Sequence, residues 1–267
     1  MRADVFLFKV GIAKSRSCAQ ALISGGVLIG GKRIEKPSTD IPEDTEKESV
    51  VVLSPSGYVG RGGIKLRHAL KMFGIDAVGL TAVDLGASTG GFTDCLLQSG
   101  AKKVYAVDVG HGQLDPSLLS DNRVVNMEGT NAKTLMRSDF PDAIDIVVSD
   151  LSFISQTLVF PAVADILPVG GLFVSLIKPQ FEAGRGNVGK GGIVKDKKVR
   201  CEVIKNVFAA ATAIGLTPCM LSPSAIDGGD GNKEYVALFV KGADHKEITE
   251  KQISDIVNSK DCEVVTK

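Results

Sequence analysis

Four charged side chains stand where apolar segments end or a helix begins. Lys65 lies in "GRGGIKL" at a helix entry, Asp150 closes the apolar run "IVVSD", Lys178 closes "LFVSLIK", and Glu234 opens "EYVALFV". If these strands form a parallel sheet, Asp150 and Lys178 lie on its ligand-binding edge, where charged side chains can meet a ligand or a reacting group. Taken singly, each charge equally well marks the point where a strand emerges into solvent. Jointly they carry more weight, because the strand ends at Asp150 and Lys178 flank a glycine-rich loop that reads as a cofactor site.

That loop is "VDLGASTGGFTD", Val83 to Asp94. An apolar strand feeds into Gly86, Ala87, Ser88, Thr89, Gly90, Gly91 and Phe92, where a helix opens. Glycines let the backbone approach a ligand, and the helix N-terminus favours negative charge. The next strand ends at Asp108, followed by Val109. An acid at that place can accept hydrogen bonds from both hydroxyls of an adenosine ribose. Ser88 stands where either a dinucleotide loop or the usual methyl-donor loop has its second glycine. The spacing to Asp108 fits NAD and S-adenosylmethionine alike, and the bland alternative is an ordinary strand-to-helix turn. Three details favour the methyl donor. Asp84 precedes the first glycine, where it could lie near the donor's positive amino or sulfonium end. Ser88 and Thr89 add hydroxyls where a pyrophosphate would prefer bare amides. No separate substrate domain of the kind dehydrogenases carry follows.

Charge is unevenly spread along the 267 residues, although the formal net charge is zero. Residues 1–36 hold seven basic side chains against two acidic ones, residues 37–50 are acidic, and residues 178–200 again hold seven basic against two acidic. A neutral average argues against wholesale polyanion binding and leaves local positive zones as the places to look. The five cysteines are odd in number, widely spaced and without a C-x-x-C pair, which argues against a disulfide framework or a zinc knuckle. They read as small buried hydrophobes of a reducing, cytoplasmic setting. The start has no signal-peptide pattern, and no run of eighteen apolar residues exists to span a bilayer. His68, His111 and His245 do not cluster with other ligands, so no metal is expected.

The elements that must position these residues alternate. Strands are expected near 80–85, 103–108, 123–127, 144–149, 171–177, 217–222 and 234–240, with helices near 64–73, 91–99, 155–166 and 195–214. Alternation of this kind implies an α/β fold with a mostly parallel seven-stranded sheet, ligands binding beyond the carboxyl ends of its strands. The short glycine-rich connection before the last strand suits an antiparallel hairpin. Ahead of this lies a small α+β segment with two helices, a hairpin turning at Gly30-Gly31 and one more strand. The expected organisation is a domain over 1–53, a linker over 54–63, the main domain over 64–241 and a polar tail over 242–267 holding one amphipathic helix.

Residues 1–50, "RADVFLFKVGIAKSRSCAQALISGGVLIGGKRIEKPS" above all, resemble the small RNA-binding domain of the small-subunit ribosomal protein four. Residues 60–241 resemble the FtsJ-like RNA 2′-O-methyltransferases. The combined order is similar to the TlyA family, known both as hemolysins and as ribosomal RNA ribose methyltransferases. The resemblance rests on "GRGGIKLRHAL", "DLGASTGGFTDCLL", "VDVGHGQL", "SDLSFIS", "IKPQFE" and "KEYVALF", covers nearly the whole chain, and makes Ser88 a family trait. It implies a Rossmann-like fold dependent on S-adenosylmethionine, ribosomal RNA or ribosomal subunits as partner, and a Lys-Asp-Lys-Glu catalytic set at Lys65, Asp150, Lys178 and Glu234. Lys178 is the expected base. A free lysine amine titrates near about 10.4, so like-charge repulsion from Lys65 is expected to favour its neutral form while Asp150 and Glu234 oppose it. Arg2, Lys14, Arg16, Lys32 and Arg33 are the expected phosphate contacts, and the basic loop 181–198 an RNA-facing lid. The competing readings are a membrane-lytic protein, a donor-binding RNA adaptor without catalysis and, weakest, an NAD dehydrogenase.

Overall fold

The computed structural model describes residues 1–13, 15–25, 27–42, 44–52, 57–228, 231–242 and 248–259. Lys14, His245, Cys262 and the first residues of the expected linker, 54–56, lie outside the described residues. The chain falls into two compact units, Met1–Gly63 and Ile64–Lys267.

The first unit contains α1 (Ala3–Lys9), α2 (Arg16–Gly25), β1 (Val27–Ile29), β2 (Lys32–Arg33) and β3 (Val50–Val52). Its sheet is antiparallel in the order β2-β1-β3. The β1–β2 turn falls on Gly30 and Gly31, both at positive φ, as a two-residue hairpin of the favoured twist requires. Phe6 and Leu7 of α1 and Ala19 and Ile23 of α2 close over Val27 and Ile29.

The second unit is reached through α3 (Gly62–Phe73) and then runs β4 (Thr81–Leu85), α4 (Gly91–Gln98), β5 (Lys103–Asp108), α5 (Pro116–Leu119), β6 (Val124–Glu128), β7 (Ile146–Ser149), α6 (Phe160–Ile166), β8 (Leu172–Ile177), α7 (Pro179–Glu182), α8 (Lys197–Thr212), β9 (Leu216–Pro223), β10 (Tyr235–Lys241) and α9 (Glu250–Asn258). The sheet order is β6-β5-β4-β7-β8-β10-β9. The first five strands in that order pair in parallel, and β10 runs antiparallel to both β8 and β9. This is the expected seven-stranded arrangement. Every residue of β4 and β7 is buried, because helices cover both faces of a parallel sheet and leave no wet side. Phe173 and Phe239 stack with ring centroids 5.5 Å apart, and Phe160 meets Phe173 edge-on at 5.9 Å. The expected helix over 155–166 instead opens with a single 3₁₀ turn at Gln156–Leu158, and α6 follows with Pro161 in its first turn, where a missing amide hydrogen costs nothing.

The stretch beyond 241 reads as a polar tail, yet α9 belongs to the core of this unit. Thr249 caps it, its hydroxyl accepting from the Gln252 amide in a capping box. Ile253, Ile256 and Val257 fall on one face and join the same apolar cluster as Val203 of α8 and Leu216 of β9. Three apolar residues in a polar segment suffice when helical spacing gathers them into one stripe.

Candidate active site

All four charged candidates reach the carboxyl edge of the sheet. Asp150 follows β7 and Lys178 follows β8. Glu234 precedes β10, whose antiparallel direction brings its start to the same edge; Tyr235 lies opposite Ile177 in the ladder. Lys65 comes from α3 and pairs with Glu234, Nζ to Oε2 2.5 Å, with both residues buried. Lys178 pairs with Asp150, Nζ to Oδ1 2.6 Å, and donates to Ser152 Oγ at 2.8 Å. The expected lysine–lysine repulsion is therefore not the dominant contact. The sheet register gives each amine its own carboxylate, forming two ion pairs side by side.

A cavity of about 520 Å³ opens beside these pairs at the ends of β4, β5 and β7. Gly86, Ser88, Asp108, Val109 and Asp150 all line it. Asp108 accepts from Gly110 N at 2.7 Å through Oδ1 and from Ser88 N at 2.9 Å through Oδ2. Each carboxylate oxygen retains acceptor capacity for a ligand hydroxyl. Ser88 holds a left-handed backbone (φ 49°), and its hydroxyl donates to Gln113 Oε1 at 3.2 Å. That bond gives a serine a use at a place where a glycine would be merely permissive. Gly86 also has a positive φ, and a Cβ there would come within 3.1 Å of the Asp150 carbonyl oxygen. The volume, the acid at the strand end and the mixed apolar and polar wall fit a nucleoside-sized donor such as S-adenosylmethionine.

The rest of the loop is placed differently. Thr89 is exposed and its carbonyl accepts from Asp115 N, while Ala87, Gly90, Gly91 and Phe92 are buried in the turn and the opening of α4, off the cavity wall. Gly90 has φ 95°, and a Cβ on it would stand 2.1 Å from Leu118. Its demand for glycine comes from helix packing. Asp84, expected near the donor's positive end, is fully buried and does not line the cavity. Its Oδ2 accepts from Thr93 N at 2.9 Å and Thr93 Oγ1 at 2.7 Å, which caps the first turn of α4. Its Oδ1 has no hydrogen-bond partner among the described residues.

Burial pushes the Asp84 carboxyl up to about 7, against the Thr93 hydrogen bonds that pull it down, with the charge of Asp150 adding to the rise. A raised folded-state value means the native chain binds the extra proton, so the stabilisation is complete below the unfolded value near about 3.9 and is lost as pH rises to about 7. Asp84→Asn should therefore gain stability relative to the parent as pH rises through that window and hold a constant difference above it. Urea unfolding from acid to mildly alkaline pH measures this, and a pH-independent difference would refute it.

Sequence reasoning missed Ser152, Phe153, Ser155 and Gln156 of the 151–158 loop and their anchor, Glu182. Ser152 holds Lys178. Phe153 has a left-handed backbone (φ 65°), is 88% exposed, and lies with its ring 5.2 Å from Phe181, itself 5.9 Å from Lys178 Nζ. Ser155 Oγ and Gln156 N both donate to Glu182 of α7, at 2.6 and 2.8 Å, tying the loop to the segment that carries Lys178. The run "SDLSFIS" holds Ser152, Phe153 and Ser155, but nothing in its spacing assigned them a role.

In the first unit, Asp4 is fully buried and gathers two arginines: Arg2 by Nε and Nη2 at 3.0 and 3.1 Å, and Arg16 by Nη2 at 3.1 Å. Hydrogen bonds from Arg2, then Gln20 and Arg16, hold its carboxyl well below the usual range despite burial. Both arginine side chains remain about half exposed, 49% and 55%, so their outer N–H groups face solvent. Lys32 and Arg33 are exposed on β2, with Arg33 Nε 3.8 Å from Glu35. Among the described residues no His, Cys, Asp or Glu cluster is placed to hold a metal, and no helix is long and apolar enough to cross a membrane.

Comparison with known proteins adds to this geometry. Residues 58–241 match the model of the FtsJ-like methyltransferases, and residues 1–46 that of the S4 domain. The 16S/23S rRNA (cytidine-2'-O)-methyltransferase TlyA of Mycobacterium tuberculosis is 41% identical over 96% of each chain. Hemolysin A of Brachyspira hyodysenteriae is 43% identical over 90% of this chain and 100% of its own length. Among solved structures, a Streptococcus thermophilus protein with a provisional hemolysin name matches with a TM-score of 0.73 at 40% identity, covering 96% of this chain and 94% of that one. A Listeria monocytogenes protein provisionally described as an S-adenosylmethionine dependent methyltransferase shares the fold of the second unit, with a TM-score of 0.51 at 18% identity over 68% of this chain and 99% of that one.

Proposed function

The chain belongs to the FtsJ-like methyltransferase family, and from that premise we propose that it methylates a ribose 2′-hydroxyl of ribosomal RNA, acting in the cytoplasm with S-adenosylmethionine as donor. The observation that carries this reading is the pair of lysine–carboxylate contacts at the carboxyl edge of the sheet, one of which sets Asp150 on the wall of the Asp108 cavity. S-adenosylmethionine, when bound, supplies a methyl group on a positively charged sulfur. Asp108 would hold its ribose, with Val109 and Leu151 offering apolar walls. A ribose hydroxyl is a weak nucleophile until its proton leaves. Lys178 in its neutral form accepts that proton, while Asp150 and Ser152 fix the amine's position. Ser152 suits both states of the lysine, since a hydroxyl accepts from an ammonium and donates to an amine. Lys65, pinned by Glu234, keeps a positive charge beside the acceptor oxygen as its negative charge develops.

The relatives' names supply the substrate class, and the S4 match supports an RNA-holding role for the first unit. Arg2, Arg16, Lys32 and Arg33, with Lys14, would contact phosphates, which position RNA without reading its sequence. Methyl transfer to ribosomal RNA transcribed in vitro, followed by mapping of the modified nucleotide, tests the proposal. Methylation of a base, or none on either ribosomal RNA, would overturn it.

Phe153 presents an exposed ring at the mouth of this site in a strained backbone, which suits stacking by the target base. Base–aromatic stacking is worth about 1–3 kcal/mol. Phe153→Ala should raise KM for RNA by about tenfold or more and cost little stability. A parent-like KM would count against the stacking role.

A further inference from the structure

A second cavity, of about 510 Å³, opens at the same sheet edge on the far side of the reactive pairs, beyond β9 and β10. Along the edge the order is the donor cavity with Asp150 on its wall, then Lys178, then Glu234 with Lys65, then this cavity, with Glu234 on its wall. Its charged lining is Lys197, Arg200, Asp227, Lys233 and Glu234. The two acids are already neutralised within the chain: both Asp227 oxygens lie 2.9 Å from Lys233 Nζ, and Glu234 is paired with Lys65. Arg200, on the first turn of α8, is 8% exposed and has no carboxylate partner among the described residues; its Nη2 donates to the Lys195 carbonyl at 3.4 Å. Its Nε and the hydroxyl of Ser224, which also lines the cavity and is 9% exposed, find no hydrogen-bond partner among the described residues. Lys197, exposed on the rim, donates to the Asn258 carbonyl at 3.5 Å.

A guanidinium cannot shed its proton, and burying it without a counter-charge is costly. The cavity thus has the makings of an anion site: a buried guanidinium, a spare hydroxyl and an ammonium at the rim. We propose that Arg200, Ser224 and Lys197 form a subsite for a phosphodiester of the RNA next to the nucleotide being methylated. This rests on the reading of the acceptor as RNA. Every target ribose is flanked by phosphates, and the cavity adjoins the acceptor side of the Lys65–Glu234 pair, opposite the donor. A phosphate held there fixes the strand's register, and with it the distance of the 2′-oxygen from Lys178.

The test is direct binding of the full chain to unmodified ribosomal RNA transcript over a series of salt concentrations, without methyl donor. Arg200→Gln should weaken binding about tenfold and reduce the slope of log affinity against log salt by about one, the signature of one lost phosphate contact. Lys197→Gln, at the exposed rim, should shift both in the same direction with the fold intact, and it carries the test if Arg200→Gln does not fold. S-adenosylhomocysteine affinity should stay at the parent value in both. Parent-like affinity and slope in the folded variants would overturn the subsite. In a second arm inorganic phosphate is added: if it raises the Tm of the parent but not of Arg200→Gln while RNA binding is unchanged, the site takes a free anion and the RNA assignment falls. If the parent binds RNA through these residues yet methylates no ribose, the proposed reaction fails and the subsite stands.

Discussion

Lys178→Ala should lower methyl transfer by about 10²–10⁴-fold, the range of a lost general base, while S-adenosylhomocysteine binds with parent affinity. The separation is expected because Lys178 does not line the donor cavity; Asp150, its partner, does. The loss should fall on kcat, since the amine acts on the proton that leaves in the transition state. Lys178→Arg sharpens the result. Arginine keeps a positive charge opposite Asp150 and can still donate to Ser152, but it cannot accept a proton near neutral pH. If the lysine acts as a base, the arginine variant is as inactive as the alanine one. If the lysine only holds charge, arginine restores much of the rate. Undiminished turnover in Lys178→Ala would end the base assignment.

How much of this was legible in the sequence depends on what each residue does. The strands were readable because β7 and β8 are almost wholly apolar runs, as a sheet buried on both faces requires. The four charged residues were readable because each interrupts such a run or opens a helix. Their pairing was not. Which lysine meets which carboxylate follows from β10 inserting antiparallel between β8 and β9, a long-range choice that local spacing does not encode. Asp84 was misplaced for a related reason. Its position before Gly86 matched a ligand contact, but the strand turns it inward to cap α4. Phe153 and Arg200 show the same limit from opposite sides. An exposed aromatic and a buried arginine both break the usual inside–outside rule, and only the fold reveals the exchange.

Glu234→Ala should destabilise the protein by about 3–5 kcal/mol, the cost of leaving one member of a buried ion pair without its partner. Both Lys65 and Glu234 are buried, and Nζ lies 2.5 Å from Oε2, so removing the carboxylate leaves a buried ammonium without its counter-charge. Methyl transfer should fall as well, since the alanine variant frees Lys65 to leave its place beside the acceptor. Loss of fold and loss of chemistry are confounded in that single variant, and a double replacement separates them. Lys65→Met with Glu234→Leu fills similar volume with apolar atoms and removes both charges. Such replacements are often neutral or stabilising by about 1–4 kcal/mol. Urea unfolding should therefore show the double variant near parent stability, whereas its methyl transfer stays at the low level of the single variant. That pattern would mean the pair is retained for the charge it places at the acceptor. A double variant that recovers activity along with stability would reduce Lys65 and Glu234 to a structural strut and leave Lys178 and Asp150 to carry the reaction alone.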